Sequence, residues 1–125
     1  IVTDTGVISD DILRRIDDTT LLVLEANYDP HMLRFGPYQP FLKQRVASDE
    51  GHLSNEMAAQ ALLMMKRPDF MQVILAHRSE NNNNSVLVTQ TIGKMLVDGG
   101  VRIGPEMKLQ HGQPNEIVSI QSVKR

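Results

Sequence analysis

No cysteine occurs among the 125 residues, which excludes a disulfide framework and any thiolate metal site, so a metal would have to be held by His, Asp or Glu. No apolar run approaches the ~18 residues that a membrane-spanning helix requires; the longest, "LLVL" and "ALLMM", are the size of core segments. A basic stretch followed by a signal-type apolar region is also missing. Positive charge is not in excess: 13 Lys and Arg against 15 Asp and Glu leave a net charge of −2. A surface coated for nucleic acid is therefore disfavoured, and a local basic groove is the form such a contact would take. There is no internal repeat, and the asparagine run 81–84 is too short for a low-complexity domain. The initiator Met is absent and "IVTDTGVIS" begins as though inside a strand. The chain is accordingly expected to belong to a longer polypeptide.

What is present suits one soluble globular domain. Hydrophobic residues make up 41% and charged residues 22%, an ordinary balance that favours neither disorder nor a fibrous class. Val2–Asp4 reads as a strand end before Gly6. "SDDILRRIDD" follows as a short helix, with Ser9 as cap, two acids in the first turn and Ile12, Leu13 and Ile16 on one side. "TLLVLEA" is a continuous apolar run of strand length, as a buried parallel strand requires. Pro30, Gly36, Pro37 and Pro40 then punctuate an irregular stretch, Pro40 standing at the first position of a helix "PFLKQRVAS".

Ser54 or Asn55 caps the next helix, which carries Met57, Ala61, Leu62 and Met65 at helical spacing and stops before Pro68. "MQVILAH" is a second buried strand, and "SVLVTQTIGKMLVDGG" a helix closed by Gly99 and Gly100. "EMKLQ" and "EIVSIQSV" read as an antiparallel hairpin around "HGQPN". The order β, α, β, α, α, β, α, β, β implies an α/β fold, a mixed sheet with flanking helices, with polar groups collected at the carboxyl ends of strands.

Several residues there can carry chemistry, and each has a plain structural alternative. His77, at the end of "VILA", can serve as a ligand or base, though position alone favours a hydrogen-bonded structural histidine. Asp4 in "TDTG" can ligate a metal or simply hold a turn. His52 lies just before a helix cap, where unpaired backbone N–H groups attract anions; it can protonate a leaving oxygen or merely cover the helix start. Lys43, Arg45, Arg34 and Arg78 are candidates for phosphate contact, or for a solvated face. Tyr38 and Phe41 are expected to pack, the Met cluster at 57, 64 and 65 to lie in the core, and His31 and His111 to sit at the surface, the latter in the hairpin turn.

Taken together, "TDTG", "LEANYD", "GPYQPFLKQRV", "GHLSNEMAA" and "LAHRSENNN" resemble the C-terminal half of metallo-β-lactamase-fold hydrolases of the bacterial YycJ (WalJ) branch. The resemblance covers residues 1 to about 95 and rests on the order and spacing of five motifs. It implies an αβ/βα sandwich, with residues 1–125 as its C-terminal half, and a site for two divalent metal ions, Zn or Mn with Fe also compatible. Asp4 would bridge the two metals and His77 would ligate the second. His52 matches the histidine that assists phosphodiester cleavage, and Glu25 the glutamate of the branch's "HEAT" element; both are catalytic candidates. Lys43, Arg45, Arg78 and Asn82 are the substrate-binding candidates.

The implied activity is that of a cytoplasmic DNA exonuclease, with DNA rather than RNA as substrate, no membrane contact, and oligomerisation left open. The sequence departs from the pattern at Tyr28, where many relatives have His, and at Arg78, where an apolar residue is common. The HxHxDH motif is absent, so the N-terminal half of the same fold is implied as a partner, without which the dinuclear site is incomplete. Two rival functions remain: hydrolysis of a small ester, lactone or cyclic nucleotide on the same fold, and a non-catalytic half-domain that pairs with another chain through an apolar sheet face.

Overall fold

The computed structural model describes residues 5–48, 51–76, 78, 79 and 82–112. The helix α1 (Asp10–Ile16) opens on Ser9, whose hydroxyl accepts from the Ile12 N–H at 3.2 Å. Asp10 and Asp11 sit in its first turn and Arg14 and Arg15 in its last, as the helix dipole favours. The strand β1 (Leu21–Glu25) follows. Then come α2 (Pro30–Phe35), α3 (Pro40–Ala47), α4 (Asn55–Met64), the strand β2 (Met71–Ala76), α5 (Ser85–Asp98) and the strand β3 (Met107–His111).

The three strands form a parallel sheet in the order β1-β2-β3. Leu22 pairs with Val73 and Leu24 with Leu75, while Met71 pairs with Met107. Because alternate side chains share a face, Leu22, Leu24, Val73 and Leu75 form one apolar face. They enter a core with Ala58, Ala59 and Leu62 of α4 and with Val88, Ile92 and Leu96 of α5. The i, i+4, i+8 spacing in α5 gives that helix a single buried stripe. Fully burying one such leucine stabilises the fold by roughly 1.5–3 kcal/mol.

The ends of the helices explain where the chain turns. Ser54, not Asn55, caps α4, accepting from the Met57 N–H at 3.1 Å. The buried Asn55 is thereby left to exchange hydrogen bonds with Asn83, at 3.0 and 2.8 Å. Asn83 also donates to the Ala26 carbonyl at 3.1 Å, and Asn84 caps α5 through the Leu87 N–H at 2.8 Å. An unmade buried hydrogen bond costs about 1–3 kcal/mol, so this amide cluster ties the end of β1 to the starts of α4 and α5. Arg67 closes α4 by donating to the carbonyls of Leu62 and Leu63. Gly100, with φ of 91°, takes the left-handed conformation that ends α5, where only glycine is unstrained.

Several expectations need correction or fall outside the description. The three described strands are parallel, and the antiparallel pairing that would make the sheet mixed involves residues outside the description. The strand at Val2–Asp4 and the second hairpin arm at 116–123 lie outside the described residues. His111 is not in a turn: it is the last residue of β3, in register with Leu75, and its Nε2 lies 2.8 Å from the Thr89 hydroxyl. His31 lies in the first turn of the short helix α2, as expected of a helix start after Pro30; Asp29 caps it, accepting from the Met32 N–H at 2.9 Å. Met65 is buried as expected, but Met64 is 64% exposed because it lies on the outer side of α4.

Candidate active site at the end of the first strand

Pairing continues beyond β1. Ala26 N–H donates to the Ala76 carbonyl at 3.0 Å, Asn27 N–H to the Leu53 carbonyl at 2.9 Å, and Asn55 N–H to the Tyr28 carbonyl at 2.9 Å. Residues 26–28 therefore run beside the "GHLSN" loop. From the other side His52 N–H donates to the Val46 carbonyl at 3.0 Å, and Gly51 N–H to the Ser48 carbonyl at 2.9 Å. The loop is held between the end of β1 and the end of α3, which sets His52 beside Glu25.

The two side chains meet. His52 Nδ1 lies 2.7 Å from Glu25 Oε1 and 3.3 Å from Oε2. Glu25 is fully buried, whereas the His52 side chain is 28% exposed. Where the carboxylate accepts, Nδ1 is the donor in this contact, and Nε2 is the ring's second nitrogen. A buried carboxylate without partners would be costly, and the contact both satisfies it and fixes the imidazole's orientation. This is the arrangement of a positioned general acid or base.

The other candidates are placed as follows. Lys43, on α3, donates from Nζ to the Arg34 carbonyl at 2.8 Å. Arg45 is exposed on the same helix. Arg78 is partly buried, and its charge, together with the larger effect of burial, lowers the pKa of His111. Asn82 is 1% exposed. Its carbonyl accepts from the Asp29 N–H at 2.8 Å, while its side-chain amide has no hydrogen-bond partner among the described residues. Asp4 and His77 lie outside the described residues. Among the described residues, no three His, Cys, Asp or Glu side chains are grouped to hold a metal ion.

Asp29, the cap of α2, and Glu56, in the first turn of α4, form a second acidic feature. Burial raises the Glu56 carboxyl above its usual value of 4.5, and the charge of Asp29 adds to the effect; burial, then Glu56, raises the Tyr28 hydroxyl. A carboxyl with a raised folded-state pKa binds its proton more tightly folded than unfolded, so it penalises the fold above that pKa and not below the unfolded value. Glu56→Gln is therefore expected to raise the melting temperature at neutral pH. That gain should disappear as the pH falls below about 4.5, a difference that paired thermal melts at the two pH values would detect.

With the geometry set out, comparison with known proteins adds a chemical context. The chain is similar to bacterial exodeoxyribonucleases. It is 33% identical over 123 residues to Exodeoxyribonuclease YycJ of Bacillus anthracis, spanning 98% of this chain and 47% of that protein. It is 34% identical over 115 residues to Exodeoxyribonuclease WalJ of Streptococcus pneumoniae serotype 2, spanning 92% of this chain and 43% of that protein. The chain thus spans about half the length of the curated relatives it matches, a distant homology extending over nearly all of its own residues. No family model and no solved structure matches.

The Glu25–His52 contact was not legible from either residue alone, since 27 positions separate them. One signal was available: a carboxylate closing an apolar strand needs a nearby partner. The loop before the helix that returns to the next strand is a natural place for one.

Proposed function

We propose that the chain is the C-terminal half of a metallo-β-lactamase-type domain in a longer protein that hydrolyses DNA phosphodiesters as an exonuclease. The observation that carries this reading is the 2.7 Å contact between buried Glu25 and partly exposed His52. Similarity to proteins named exodeoxyribonucleases supports the substrate class.

In this proposal Glu25 is a positioning residue that accepts from Nδ1–H, and His52, protonated on both nitrogens when substrate binds, directs Nε2–H to the scissile phosphate, where it donates to a non-bridging oxygen or passes that proton to the leaving alkoxide and returns to the neutral ring. Asp4 and His77 would contribute ligands to two divalent ions, the remainder coming from the rest of the polypeptide. Such ions, when bound, supply an activated hydroxide and charge stabilisation for the departing oxygen. Lys43 and Arg45, on the helix whose end holds the His52 backbone, would meet substrate phosphates. Asn82, being buried, would act through its carbonyl contact to Asp29, which secures the start of α2.

The test is release of nucleotides from end-labelled DNA by the full-length protein. Asp4→Ala is expected to abolish the divalent-dependent activity, and wild-type rates in that variant would sink the proposal. Small phosphodiesters and lactones assayed in parallel would reveal the rival substrate class.

A further inference from the structure

The chain has two tyrosines and three phenylalanines, and four of these five aromatics, Tyr28, Phe35, Tyr38 and Phe41, fall between positions 28 and 41. Two of them face solvent: Phe35 is 69% exposed and Phe41 71%. Exposed rings this large on consecutive helices are unusual unless something covers them. The charge of the same segment is also atypical. Residues 28–48 contain Arg34, Lys43 and Arg45 against Asp29 alone, a balance of +2 in a chain whose net charge is −2.

The segment adjoins the dyad at both ends. Asp29, which caps α2, follows Glu25 by four positions, and the Val46 carbonyl of α3 accepts from the His52 N–H at 3.0 Å. Its cations retain donors: Lys43 Nζ spends one hydrogen on the Arg34 carbonyl and keeps two. The Arg34 guanidinium lies 5.5 Å from the centre of the Phe35 ring, and the His31 ring is 4.7 Å from it. A hollow of about 340 Å³ is lined by residues of α2 and α3, with Tyr28 and Leu33 beside Arg34 and Lys43. A second, of about 430 Å³, lies beside Phe41 and Arg45. Both fall within the size range of small-ligand pockets, about 300–1,000 Å³.

Resting on the reading of the dyad as a DNA phosphodiester site, we infer that the α2–α3 surface holds an unpaired DNA strand, with bases stacked on Phe35 and Phe41 and phosphates on Lys43 and Arg45. Cations together with exposed rings are what a single strand requires, because every unpaired base offers a π-face and every linkage a charge. A blunt duplex hides those base faces within its stack and engages the cations alone. The surface therefore selects a strand that is single or frayed at its end and leads it toward His52.

The experiment is fluorescence anisotropy on the full-length protein, using a short cleavage-resistant phosphorothioate single strand and the matched blunt duplex. Phe35→Ala and Phe41→Ala are each expected to weaken single-strand binding by about 5- to 100-fold, to affect duplex binding far less, and to leave the melting temperature unchanged. Lys43→Ala and Arg45→Ala should each flatten the salt dependence of single-strand binding by about 0.7 in the log–log slope.

Wild-type single-strand affinity in both phenylalanine variants would overturn the inference. So would a lowered melting temperature or a dissociated oligomer in Phe41→Ala, because the ring would then be covered by the rest of the polypeptide or by a second copy. A protein that binds the strand through the two rings yet cleaves no DNA would uphold this surface and remove the nuclease reading instead.

Discussion

His52→Ala in the full-length protein is expected to lower the DNA cleavage rate constant by roughly 10²- to 10⁴-fold, the usual contribution of a positioned acid or base. The melting temperature should fall as well, because the fully buried Glu25 carboxylate loses the partner that the ring provides at 2.7 Å. Glu25→Gln should cost less activity, since the amide keeps the shape and can still accept from Nδ1, but it no longer offers the ring a charged partner. Glu25→Ala is different in kind: it removes a fully buried side chain, leaving a cavity at the strand end and taking the carboxylate away from Nδ1. A stopped-flow or gel assay with thermal melts on the three variants separates these effects. Were His52→Ala to cleave at the wild-type rate, the dyad would be a structural contact and the proposed role of His52 would fail.

The ordering of the elements was open to a reader of the sequence because local signals agreed with one another. Ser9, Pro40 and Ser54 mark helix starts by capping or by a fixed φ, and the runs 20–26 and 71–76 are apolar at strand length; each lies where the fold places it. Elements set by distant contacts were less accessible. The start of α2 after Pro30 was legible, but its six-residue extent is too short to show a period, and its capping residue is anchored from afar, the Asp29 N–H donating to the Asn82 carbonyl. His111 sits in a strand because β2 supplies a parallel edge for it, whereas its glycine and proline neighbours suggested a turn. Phe41 was expected to pack, yet α3 has no buried residue, so its apolar side has nothing within the described chain to cover it. The candidate site divides in the same way: each of Glu25 and His52 could be named from a motif, but the bond between them exists only once residues 26–28 run beside the loop.

Gly51→Ala should disable the same site without touching either member of the dyad. A Cβ at this position would overlap the carbonyl oxygens of both Arg45 and Val46, and neither can swing aside as a flexible side chain would, because both belong to the backbone of the last turn of α3. The requirement is for space, not for an unusual φ. The loop would have to withdraw from α3, stretching the Gly51-to-Ser48 and His52-to-Val46 hydrogen bonds, now 2.9 and 3.0 Å. With the backbone displaced, Nδ1 could not keep its 2.7 Å approach to Glu25. Overpacking of this kind costs about 1–3 kcal/mol of stability, and a misplacement near 1 Å at a reacting group can cost about 100-fold in rate. Gly51→Ala is thus expected to lose both activity and melting temperature, with Glu25 and His52 themselves unchanged. Wild-type behaviour in both measurements would mean that α3 does not press on the loop, and that something other than Gly51 brings His52 to Glu25.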